Sequence, residues 1–144
     1  MTEKALQLNG QNYLVWNNLV NAYVQLKEND KAAAVRARVI QLAEKSAQLN
    51  PQDALVQVKL ASLYARQNSR VFALTRIQTA LALSPEDPAV LDDVANTYEV
   101  LGERHLALKY VQKAIEKGYP AQQVINDPDM QSLILDPSFR PKGK

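Results

Sequence analysis

The stretch Leu60-Ala61-Ser62-Leu63-Tyr64 returns as Val94-Ala95-Asn96-Thr97-Tyr98, 34 positions further on. The same slide of 34 lays Ala73 on Ala107, Leu74 on Leu108, Ile77 on Val111, Ala80 on Ala114, Leu81 on Ile115 and Pro51 on Pro85. A further copy lies upstream. Its first half matches at an offset of 41, with Leu19 on Leu60, Val20 on Ala61, Tyr23 on Tyr64 and Ala32 on Ala73. Its second half returns to 34, with Ile40 on Leu74, Ala43 on Ile77 and Leu49 on Leu83. The 7 extra residues therefore fall inside Lys31–Leu49. Seven residues are nearly two helical turns, with a drift of only about 20°, so they lengthen a helix without turning its apolar side away from the core. A fixed period of this size marks a repeat architecture.

Each copy reads as two helices. The first carries apolar residues at helical spacing: Trp16, Leu19, Val20 and Tyr23; then Val56, Leu60, Leu63 and Tyr64; then Leu91, Val94, Ala95 and Tyr98. Polar turns follow at Glu28-Asn29-Asp30, Asn68-Ser69 and Gly102-Glu103. The second helix places Ala32, Ala73 and Ala107, with Ala80 and Ala114, where two helices must approach closely. Asn50-Pro51 and Ser84-Pro85 stop that helix, because a residue before proline is pushed out of the helical region. Asp53 and Asp87 are placed to cap the helices that follow, and Gly118 suits a left-handed helix end. In the tail, Asp129 is the expected cap of the segment Met130–Leu135.

The 144 residues, 47% apolar and 22% charged, have ordinary globular composition. A formal net charge of +2 with both signs interleaved offers no basic stripe for nucleic acid. No apolar run is long enough to span a bilayer, so this segment is not expected to insert into a membrane. Without cysteine there are no disulfides or thiolate metal sites. The compartment is left open: cytoplasm is expected, or periplasm if the parent protein is membrane-anchored.

The signatures Trp16-x-x-Leu19-x-x-x-Tyr23, Leu60-Ala61-x-x-Tyr64, Val94-Ala95-x-x-Tyr98 and Gly102 resemble the tetratricopeptide repeat family. Ala73, Ala80 and Pro85, and then Ala107 and Ala114, add to the match, which covers residues 13–118. The sequence departs from the family at Gln57, where a bulky aromatic is common, in the first two turns, which lack glycine, and in the insertion. The resemblance implies an all-α, right-handed superhelical solenoid of three hairpins, a single domain over residues 1–144. Residues 1–10, with Leu6 and Leu8, read as the remnant of a preceding repeat; the repeats are 13–50, with the extended second helix, then 51–84 and 85–118; residues 119–144 form a short helical cap. Stacked hairpins bury their apolar stripes on one another, so an orphaned helix at the N-terminal end invites weak self-association. The tail, from Gly118-Tyr119-Pro120 to Leu135-Asp136-Pro137-Ser138-Phe139, is similar to the ends of such segments in large bacterial signalling proteins. Those include eukaryotic-like serine/threonine kinases and winged-helix or cyclase-linked regulators.

Candidate chemistry is sparse. His105 is the lone histidine and has no cysteine partner for a metal site. Asp92-Asp93, after Glu86 and Asp87, fit the first turn of a helix, where carboxylates complement its dipole. Asp127-x-Asp129 is interrupted by Pro128 and lacks the calcium-loop pattern. The Tyr23, Tyr64 and Tyr98 series is expected to pack inside the hairpins rather than to stack bases. With no nucleophile–base pair, no enzyme activity, metal or cofactor is expected.

What remains is the other side of each first helix, which in the family lines a concave groove. In register these positions are Asn17, Asn21 and Gln25, then Val58, Ser62, Ala65 and Arg66, then Asp92, Asn96 and Glu99. Carboxamides both donate and accept, which suits the backbone of an extended peptide. Asp92 would repel a ligand's terminal carboxylate, which argues against capture of an acidic chaperone tail. The expected function is non-catalytic binding of a protein or peptide partner in this groove. The alternative is a cis-regulatory or scaffolding domain of a larger signalling protein such as a kinase.

Overall fold

The two Xxx-Pro steps end helices where the sequence places them. The computed structural model describes Ala22 and residues 25–141. It divides into two compact units, residues 1–52 and 53–144. The described residues form helices and turns with no strand. Trp16, Leu19, Val20 and Tyr23, and the proposed remnant at residues 1–10, lie outside the described residues.

In the first unit, helix α1 runs Asn29–Leu49, 21 residues without a break. Its buried positions are Ala32, Val39, Ile40, Ala43, Ser46 and Ala47, spaced at three, four and seven along one side. The insertion thus lengthened the helix and kept its buried side, as a near-integral number of turns demands.

In the second unit, α2 (Ala54–Arg66) and α3 (Arg70–Leu83) form one hairpin, and α4 (Pro88–Val100) and α5 (Arg104–Glu116) the next. α3 has 14 residues against the 21 of α1, a difference of 7 that matches the insertion. Asp53 caps α2 by accepting from the Leu55 and Val56 amides at 3.1 and 3.3 Å. Asp87 caps α4 through the Ala89 amide at 2.9 Å. Each such cap stabilises its helix by about 1 kcal/mol.

The turns repeat at the level of the backbone. Asn68 and Gly102, 34 apart, both take left-handed φ, 61° and 81°. Lys27, offset from Asn68 by 41, has φ 62°. The residue after each turn then closes the helix end. Ser69 donates to the Tyr64 carbonyl and Glu103 to that of Tyr98, both at 2.9 Å. Gly118, at φ 112°, ends α5 in the same way, with Tyr119 donating to the Ala114 carbonyl at 2.9 Å. This is a standard left-handed helix closure. The missing glycines are met by an asparagine and a lysine that accept the left-handed state.

α2 packs beside α4, and within the second unit α3 packs on α2 and α5 on α4. Ala73, Ala80, Ala107 and Ala114 are all 0% exposed, as close helix crossings require. The tail continues as α6 (Ala121–Asn126), a 3-10 turn (Pro128–Met130) and α7 (Gln131–Ile134). Val124, Met130 and Leu133 enter the core of both hairpins, alongside Val58, Val94 and Val111. Fully burying side chains of this size stabilises by roughly 1.5–3 kcal/mol each.

Candidate functional site

The expected groove positions converge only in part. Asn17 and Asn21 lie outside the described residues, and Gln25, in the first unit, is exposed. Val58, Ser62 and Arg66 come from α2, and Asp92, Asn96 and Glu99 from α4, its direct neighbour. Val58 and Ala65 are 0% and 3% exposed, so in this conformation both belong to the core rather than to an open surface. Ser62, Arg66, Asn96 and Glu99 are half-buried.

Their polar groups meet the chain's own tail. Asn96 Nδ2 donates to Asp127 Oδ2 at 3.0 Å, and an Arg66 guanidinium nitrogen donates to Asp129 Oδ2 at 2.8 Å. Asp127 Oδ1 accepts from the Asp129 amide at 2.9 Å. Asp129 caps nothing: Asp127 caps the 3-10 turn Pro128–Met130, because its position just before Pro128 puts its carboxylate over the first free amide, and no side chain caps α7. Asp129 is left to reach across to α2. Gln131 Nε2 pins the turn by donating to the carbonyls of Ile125 and Asp127 at 2.9 and 2.8 Å.

Glu99 has a different partner. Its carboxylate receives Arg104 through two hydrogen bonds, at 2.8 and 2.6 Å. Arg104 also reaches Asp136 at 3.3 Å and Ser132 Oγ at 3.0 Å, which ties α7 to the start of α5. These carboxylates push the guanidinium further toward its charged form, and the Ser138 backbone and Arg104 hold Asp136 below the usual carboxylate range.

The deepest charge on this side is Asp92, 6% exposed, with Oδ1 buried and without a hydrogen-bond partner. Burial raises its pKa to about 7. The neighbouring charges of Asp93 and Asp127 push the same way, while the Tyr119 hydroxyl and Lys59 oppose them. Desolvation also raises Asp93, against the Lys59 ammonium 2.8 Å away. Tyr119 is pushed up by burial and by Asp92. The site is thus a cluster of carboxylates on α4 beside two cations on α2, Lys59 and Arg66. Among the described residues no group of three or more His, Cys, Asp or Glu is placed to hold a metal ion. His105 sits exposed at the start of α5.

Sequence reasoning missed Lys59, Arg104, Asp127 and Tyr119. One signal was present for Lys59: it stands 34 positions before Asp93, so the repeat itself sets opposite charges on neighbouring helices. Gln57, where an aromatic was expected, is buried and accepts from Arg76 at 2.8 Å.

No protein-family model matches the chain. Over 68 residues, 47% of its length, the chain is 35% identical to the cellulose synthase operon protein C of Pseudomonas fluorescens (strain SBW25), of which it spans 5%. No described helix is long and apolar enough to cross a membrane. The chain is an all-helical, repeat-like protein, similar over about half its length to a small part of that larger one.

Proposed function

We propose that this chain is a tetratricopeptide-type module, three stacked hairpins in a right-handed solenoid, that holds a partner polypeptide and has no catalytic activity of its own. One observation carries the reading. The face made by α2 and α4 already holds a short run of polypeptide, residues 127–130, by the side chains of Arg66 and Asn96. A surface that takes a turn of its own chain this way has the donors to take another chain. Lys59 and Arg66 on α2 against Asp92, Asp93 and Glu99 on α4 favour a ligand of mixed charge. A short peptide must be ordered on binding, so affinity should be micromolar, on the order of −8 kcal/mol.

The test is an array of peptides graded from acidic through mixed to basic, followed by titration of the best binder. Asn96→Ala should weaken binding by about 0.5–1.5 kcal/mol, the worth of one such hydrogen bond, and lower the melting temperature by no more than a few degrees through loss of the bond to Asp127. Binding indifferent to Asn96 and Arg66 would move the site elsewhere. Turnover of any substrate by the purified chain would contradict the non-catalytic reading.

A second reading is a scaffolding or cis-regulatory segment of a larger protein. It is favoured by the match to a protein of which this chain spans only 5%. On that reading the outer surface does the work, where Val71 and Phe72 are 74% and 62% exposed.

A further inference from the structure

The tail's grip on the α2/α4 face is uneven. Met130 is wholly buried. The polar contacts around it are weaker: the Arg66–Asp129 pair keeps 24% and 45% of its side-chain surface exposed, and exposed pairs of this kind stabilise little. Asp127 stands in a place that already holds Asp92 and Asp93, whose like charges act on one another. Pro128 between the two acids limits the turn to one shape, so little ordering is needed to present both carboxylates. The sequence Asp127-Pro128-Asp129-Met130 therefore displays a compact pattern. Two carboxylates two residues apart meet an amide on α4 and a guanidinium on α2, and a large apolar side chain is buried beside them.

We infer that residues 127–130 are a built-in occupant of the α2/α4 face, and that its polypeptide partner presents the same pattern at a turn: acid, any residue, acid, large apolar. The inference rests on the proposed polypeptide-binding function and names the partner's chemistry. The partner docks on Arg66 and Asn96 in place of the tail, so the tail competes with it and lowers its apparent affinity by the fraction of time the face is open.

A fluorescent peptide of residues 126–135 serves as the probe, titrated against the full chain. Against the double variant Asp127→Ala, Asp129→Ala, whose tail has lost both polar anchors, the peptide should bind at least tenfold more tightly than against the unaltered chain. Adding Arg66→Ala and Asn96→Ala to that variant should abolish the gain, and a peptide with both acids changed to Asn should not bind. Equal affinity for the unaltered chain and a folded double variant overturns the inference, as does a gain that survives loss of Arg66 and Asn96. Should the double variant fail to fold, amide hydrogen exchange on the unaltered chain decides. Saturating peptide should speed exchange at residues 129–131, and unchanged rates there overturn the inference. If the array instead yields Asn96-dependent ligands without this pattern, the polypeptide-binding reading stands and this inference alone fails.

Discussion

The hairpins α2–α3 and α4–α5 share one backbone and differ in what they put inside it. At two equivalent places the first hairpin buries Gln57 against Arg76, where the second buries Leu91 and stacks Tyr110 on Tyr98, ring centres 5.7 Å apart. At a third place the pattern inverts: the first hairpin buries Val58 and the second buries Asp92. The tyrosines diverge as well. Tyr98 is 5% exposed, while Tyr64 is half-buried against Phe72, itself 62% exposed. The repeat is held by its turns, its alanine crossings and its caps. Individual core positions are free to carry polar groups where a neighbour or a function calls for them.

The two tyrosines should separate the hairpins most strongly. Tyr98→Ala removes a stacked, buried ring and should cost about 3–5 kcal/mol in denaturant unfolding. Tyr64→Ala should cost about 1–2 kcal/mol, since only part of its ring leaves the core. Equal losses would mean that the two hairpins are packed alike after all.

Asp92 gives the next largest effect. Its pKa is raised above the unfolded value of 3.8 to about 7, so the folded state binds the proton more tightly. Its contribution to stability is present in full below the unfolded value and is lost as pH rises through about 7. Asp92→Val installs the first hairpin's residue. It should stabilise by on the order of 2 kcal/mol at pH 8 and flatten the fall in stability between pH 4 and 7. Melting curves across that range would show it; a variant that keeps the unaltered chain's slope would place the titration elsewhere.

The turns give the smallest. Gly102→Ala forces a Cβ into φ 81° and should cost about 1 kcal/mol. Asn68→Gly, at φ 61°, should be neutral or gain a few tenths of a kcal/mol. A loss at Asn68 as large as that at Gly102 would show that its side chain, not its backbone, closes the turn.

The helices, their stops and the insertion were legible because periodicity reports local geometry and close crossings. An alanine every 34 residues and a proline after each second helix need no knowledge of distant contacts. The site was legible only as a list of faces. Asn96 meets a residue 31 positions away and Arg66 one 63 positions away, and such pairs lie outside any repeat. Nor does the repeat show that Val58 would be closed into one core with the tail's Val124, Met130 and Leu133. The role of Asp129 is hidden for the same reason: capping is judged from the next three residues, and its partner is on α2.

We propose that the α2/α4 face, not the outer surface, holds the partner. Side-chain amide NMR with the best array peptide tests it most directly. The Asn96 signal should shift on saturation together with backbone amides of α2 and α4, and Arg66→Ala with Asn96→Ala should erase these shifts while the fold persists. Shifts confined to the outer residues of α3 and α5, around Val71, Phe72 and His105, with Asn96 unmoved, would contradict it.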